Sequence, residues 1–179
     1  MNTVNCFQII KDLFYTNRSL TGKGNLKTLK YIKKIIPKLK IKYFNSGEKY
    51  YDWTIPKEWN VKDAYIKDLN GKKIIDFKVN NLHLVGYSQP IKKIVKRKEL
   101  IKHLHSLKKN KKTIPYVTSY FNKYWGFCLT HEKKIKLKDK EYFVNIDAKF
   151  TNGKMHYGEL IHKGKSDKEI LISTYICHP

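Results

Sequence analysis

The stretch that most constrains the fold is the last one, "ILISTYICHP" at residues 170–179. Ile170, Leu171 and Ile172 continue through Tyr175, Ile176 and Cys177, with His178 following. An apolar run of that length, bounded by the turn-forming "KSDKE", reads as a strand covered on both faces, the kind found in the middle of an α/β sheet. Ligands of such sheets gather beyond the carboxyl ends of the strands. His178 falls at that end. A chain end is normally polar and frayed, so this one reads as the first half of a larger element.

The rest of the chain is ordered around that strand. "NTVNCFQIIKDLFY" and "NLKTLKYIKKII" carry apolar residues at helical spacing. Asn2 or Thr3 serves as a possible cap for the first, Asn25 for the second, and Pro37 stops the second. "LKIKYF" alternates as a strand. From residue 51 the period changes from helical to two-residue. "VKDAYIKDLNGKKIIDF" predicts a hairpin turning at Asn70-Gly71. "NLHLVGY" predicts a further strand, "RKELIKHLHSL" a short amphipathic helix, and "PYVTSYFNKYWGFCLT" a β-prone aromatic segment. "EYFVNIDAKFTNGKMHYGELIHKG" predicts a second hairpin turning at Asn152-Gly153. The expectation is an α/β fold in which residues 1–50 and 151–179 pack together and 51–150 form an inserted, mainly β body.

Composition narrows the functional classes. The chain holds 38 Lys+Arg against 15 Asp+Glu, a net charge of +23. The excess is nearly all Lys, spread along the sequence, with Arg only at Arg18 and Arg97. Scattered lysines neutralise phosphates without reading bases, so no specific nucleic-acid partner is expected. A stand-alone basic β-rich module holding nucleic acid or an acidic polymer is the alternative function. No apolar run approaches a bilayer's width, so no membrane partner is expected. Three widely spaced cysteines, Cys6, Cys128 and Cys177, suggest a reducing cytoplasm without a disulfide framework.

No H-E-x-x-H, paired C-x-x-C or phosphate-cradling glycine loop is present. His103 and His105, two apart on the expected helix, face different directions. His83, His131, His156 and His162 show no ligand spacing. A lone strand-end histidine carries little by itself.

Resemblance adds to this. The helix pair with "RSLTGKG", followed by a strand, is similar to the opening of the co-catalytic zinc aminopeptidases. "HYGELIHKGKSDKEILISTYICHP" resembles their hairpin leading to a histidine zinc ligand, which places His178 in the ligand position. More closely, "RSLTG", "DWTIPKEWNVKDAYIKD", "NLHLVGYS", "IPYVTSYFNKYWGFCLTH", "HYGEL" and "STYICHP" resemble a bacterial and archaeal aminopeptidase-like family of unknown function, often found among polysaccharide-biosynthesis genes. The resemblance implies a partial zinc-exopeptidase core and a peptide-like, aminoacyl or amide substrate. It also implies two zinc ions held mainly by residues beyond position 179, an Asp and a catalytic Glu among them. It therefore implies an N-terminal fragment, inactive alone. Cys177 is a rival ligand, but neighbouring strand residues point to opposite faces. Trp53, Trp59 and Trp125 read first as core. Trp125 and His131, a surface histidine in the simpler reading, are the candidates to face a substrate from the insert.

Overall fold

The computed structural model describes residues 5–177 except 121. In chain order the elements are α1 (Cys6–Leu13), α2 (Lys23–Ile35), β1 (Lys40–Asn45), β2 (Lys49–Tyr50), β3 (Trp53–Thr54), β4 (Glu58–Lys67), β5 (Lys73–Asp76) and β6 (Ile91–Lys96). They continue with α3 (Arg97–Leu100), β7 (Leu104–His105), β8 (Phe127–Cys128), α4 (His131–Ile135), β9 (Glu141–Thr151) and β10 (Lys154–Glu159). The fold mixes helix and strand. The described residues divide into two compact units, 5–58 with 152–177, and 59–151.

In the first unit, α1 is capped by Asn5, whose side chain accepts from the Gln8 amide at 3.1 Å. The cap expected at Asn2 or Thr3 concerns residues outside those described. α2 starts at Lys23 behind Gly22, two residues before the expected cap Asn25, and ends at Ile35 ahead of Pro37. Gly22 is at φ 109°, where a side chain would strain the turn. Gly24 solves a second problem, since a Cβ there would lie 1.8 Å from the Asn17 carbonyl oxygen. α2 packs on the antiparallel pair β1–β10, whose register runs from Lys40 opposite Glu159 to Asn45 opposite Lys154. Gly158 keeps that approach open; a Cβ would stand 3.0 Å from Leu29 Cδ2 and 3.2 Å from Leu39 Cδ1. Phe44 stacks on Tyr157 at 5.2 Å, two residues on neighbouring strands that share a face.

The strand expected over 170–176 is not formed. Residues 160–176 join no ladder, and Ile170, Leu171, Ile172 and Tyr175 are 85–92% exposed. A strand exists only beside a partner, and no described strand lies beside this segment.

The second unit is built on a four-stranded sheet in the order β5-β4-β9-β6. One face buries Ala64, Ile66, Ile75, Val95, Tyr142 and Val144, the two-residue alternation seen in the sequence. Asn70-Gly71 makes the β4–β5 turn, with Gly71 at φ 91°. Trp59 is core as expected, stacked on buried Tyr87 at 5.5 Å and donating from Nε1 to the Ser88 carbonyl at 3.1 Å.

Four further expectations fail. Asn152-Gly153 turns no hairpin, because β9 joins the four-stranded sheet while β10 pairs with β1. "RKELIKHLHSL" is helical only over Arg97–Leu100, then tightens to a 3-10 turn, Ile101–His103, and extends as β7. The leucine spacing fits a helix, but Leu104 takes instead a parallel pairing with Phe127 of β8. "NLHLVGY" is a 3-10 turn, Asn81–His83, capped by Asn80, because the Asn80 side chain accepts from the Leu82 amide at 3.0 Å. Among the described residues the aromatic stretch yields the two-residue β8, whose Phe127 also bridges Leu84, and an isolated bridge from Thr118 to Gly86.

Glycine inside a helix usually costs about 1 kcal/mol relative to alanine. At Gly24 the sign should reverse. Gly24→Ala is expected to lower stability by about 1–3 kcal/mol through overpacking against Asn17; a urea transition unchanged or shifted to higher midpoint would show that the close approach does not matter.

Candidate functional site

The described chain reaches the expected metal position at Cys177, and His178 lies outside the described residues. Cys177 does not sit free. Its Sγ donates to the Ser19 carbonyl at 3.1 Å. The Asn25 amide nitrogen donates to that same carbonyl, and to the Leu20 carbonyl at 3.2 Å. Arg18 Nη1 donates to the Leu13 carbonyl at 2.6 Å. The loop "RSLTG", between α1 and α2, therefore seats the segment's end. Burial pushes the Cys177 thiol above its ordinary range, and the nearby Arg18 guanidinium only partly offsets this. A raised thiol used as a donor is a poor thiolate ligand. Ser19 Oγ and Asn25 Oδ1 are buried with no hydrogen-bond partner among the described residues. Sequence reasoning took this stretch as a plain loop and Asn25 as a cap, because nothing local signals that a segment about 150 positions on returns to it.

Zinc requires about four ligands per ion. Among the described residues no three His, Cys, Asp or Glu side chains converge on a point. These residues alone do not fit a zinc site, and no reaction step can be built through one here.

The substrate-facing candidates lie in the second unit. Trp125 is part-exposed and stacked on His103, ring centroids 3.7 Å apart and 11° from parallel. His103 Nδ1 lies 2.7 Å from the Trp125 carbonyl oxygen. A carbonyl only accepts, so Nδ1 carries the proton. His105 Nε2 lies 2.9 Å from the Tyr124 hydroxyl. His103 and His105 do face different ways, one onto Trp125 and one onto Tyr124, although no helix carries them both. His131 opens α4 behind the Thr130 cap, with Nδ1 at 3.0 Å from Ser106 Oγ. No hydrogen bond or ring contact among the described residues joins Trp125 to His131.

The buried titratable groups are structural. His83 is buried, its Nδ1 at 2.7 Å from the Cys128 carbonyl, and burial holds its pKa below the ordinary value. Burial also lowers His105, helped by Lys134, and His156. Cys128 is fully buried and pushed up to about 12 by desolvation.

Comparison with known proteins defines the class first. Residues 58–149 match the family described as "Domain of unknown function (DUF2172)", and the chain belongs to it. The chain is also similar to a protein of Clostridium acetobutylicum named "Putative polysaccharide biosynthesis protein with aminopeptidase-like domain". The two are 47% identical over 173 residues, 97% of this chain and 40% of the relative. A crystal structure of a "putative peptidase" from Clostridium acetobutylicum matches 85% of this chain and 36% of its own with a TM-score of 0.81 and 47% identity. The chain thus spans about two fifths of the relatives it matches.

Two outcomes follow from the buried groups. A histidine held neutral binds fewer protons folded than unfolded, so its contribution is full above about pH 6.5 and is lost as pH falls below it. Stability should drop from pH 7.5 to 5.5, and His83→Gln should flatten that drop; an unchanged slope in urea titrations would remove His83 as a cause. With a thiol reagent at pH 8, exposed Cys6 should react first and Cys128 only on unfolding. Rapid labelling of all three thiols in the folded state would contradict the burial of Cys128.

Proposed function

We propose that the chain is the N-terminal portion of a zinc-dependent aminopeptidase-like hydrolase. What carries this reading is 47% identity, sustained over 173 residues, to the aminopeptidase-like protein of Clostridium acetobutylicum. In this reading residues 1–50 and 151–179 belong to a zinc-exopeptidase-type α/β core, and 51–150 are the inserted module. The substrate is a peptide or another aminoacyl amide, and the work is done in a reducing cytoplasm, which three cysteines without a disulfide suit. His178 supplies one zinc ligand. The remaining ligands and the general base come from sequence matching the other three fifths of the relative, so residues 1–179 do not hydrolyse peptides alone.

The described residues contribute placement rather than chemistry. Ser19 and Asn25 fix the segment at Cys177 through the shared carbonyl. The thiol, committed to that carbonyl, leaves the imidazole next to it as the ligand. When bound, zinc would polarise the scissile carbonyl and activate water.

A chimera tests this: residues 1–179 replace the matching segment of the Clostridium acetobutylicum protein. It should carry about two zinc ions by elemental analysis, as a two-metal hydrolase requires, and cleave an aminoacyl p-nitroanilide. His178→Ala should lose metal and activity together, while Cys177→Ala should keep both and lose thermal stability. Full zinc content without His178 would end the ligand assignment, and cleavage by residues 1–179 alone would end the dependence on missing ligands.

A further inference from the structure

The run from Ile170 to Ile176 has strand chemistry and no strand to pair with among the described residues. Other bare apolar side chains, such as Phe7 and Ile10 of α1, stand on a helix that makes its own backbone bonds. In 170–176 the side chains are bare and the backbone joins no ladder. Such a segment takes up whatever edge it meets.

The run itself says which edge fits. It holds no charge, no proline and no glycine, and five of its seven residues, Ile170, Ile172, Thr174, Tyr175 and Ile176, are β-branched or aromatic. Short neutral segments of this composition pair with copies of themselves. An antiparallel pairing centred on Ser173 is symmetric. Ile170 then faces Ile176, Leu171 faces Tyr175, Ile172 faces Thr174, and Ser173 faces its counterpart. Alternation collects Ile170, Ile172, Thr174 and Ile176 on one face of the ribbon.

The regular edges of a second copy are less suitable. β1 carries Lys40 and Lys42, and β6 carries Lys92, Lys93 and Lys96, the device that blunts edge pairing. The whole chain bears +23, so two copies repel at long range. The run is where they can touch without a like charge, since the charged residues just before it, Lys168 and Glu169, are opposite in sign. A polyanion finds nothing in the run to hold.

We propose that residues 170–176 pair antiparallel with the same residues of a second copy of this chain, in register about Ser173. A two-stranded ribbon is marginal by itself, so the dimer is weak. The pairing does not rest on the hydrolase reading, and its failure would leave that reading untouched.

The test is sedimentation equilibrium of nuclease-treated residues 1–179 across a concentration series at low and high salt. Apparent mass should rise with concentration, and more steeply at high salt, where repulsion is screened. The double variant Leu171→Pro, Ile172→Pro removes a ladder donor whichever of the two amides faces the partner, at constant charge. It should weaken association about tenfold or more. Ile10→Ser, which removes a 61% exposed side chain from α1, should leave association unchanged; melting temperatures check the fold of both. In a Cys6→Ser background, Ser173→Cys should form an intermolecular disulfide about tenfold faster or more than Ser166→Cys in the exposed turn, because opposed residues of an antiparallel pair lie within disulfide reach. A monomer at every concentration would overturn the proposal. So would association that survives the proline pair, or that is present only before nuclease treatment. Association lost with the proline pair but without preferred cross-linking at residue 173 would put the run on another edge of the second copy, and would overturn it too.

Discussion

The ladder between β1 and β10 is the contact on which the first unit rests. Its strands are far apart in sequence: Lys42 and Glu159, diagonal neighbours across it, are 117 positions apart and bridge their charges at 2.7 Å. The bridge itself is exposed and contributes little. What matters is the sheet surface, against which α2 buries Leu29 over Gly158. Helix α2 in turn fixes Asn25, and Asn25 with the Ser19 carbonyl seats Cys177. Each step is local, yet the chain of dependence runs from a distant strand pair to the segment that ends in the expected metal ligand.

Much of this was legible in the sequence, and what was not has identifiable causes. The α2 period, Pro37 behind it, the alternation of "LKIKYF" and the Asn70-Gly71 turn each encode their outcome within a few residues. The failures concern segments whose outcome is set by a partner far away. Leu100, Leu104 and Leu107 have helical spacing, but Leu104 is claimed by Phe127, so the helix stops at one turn. "ILISTYIC" has strand chemistry in full, but without a neighbouring ladder it forms no strand, and Ile170, Leu171, Ile172 and Tyr175 stay exposed. Clean apolarity in a strand describes what it needs rather than what it has.

The candidate site divides the same way. His178, which lies outside the described residues, was singled out by a local pattern, an apolar run followed by His. The seat at Ser19 and Asn25 was not, because a carbonyl has no signature in sequence. In the second unit Trp125 and His131 were singled out by residue type, and the structure engages them separately, Trp125 with His103 and His131 with Ser106. The contact of Tyr65 with Phe143 was hidden for a further reason: two aromatics in strands, far apart in sequence, meet only when the sheet sets their strands side by side.

The seam at Ser46 bears on the order in which the molecule assembles. Ser46 Oγ donates to the Pro56 carbonyl at 2.9 Å, and the Gly153 amide donates back to Ser46 Oγ at 3.1 Å. Bringing Ser46 to Gly153 closes a loop of 107 positions. For a flexible chain that closure costs about 4 kcal/mol of entropy beyond a constant. A folded middle removes most of that freedom before the ends meet. During synthesis β1 therefore waits as an unpaired strand while the interior of the sequence folds, and the flanks zip together last. Until β10 is made, the edge of β1 that it will cover is open to mispairing.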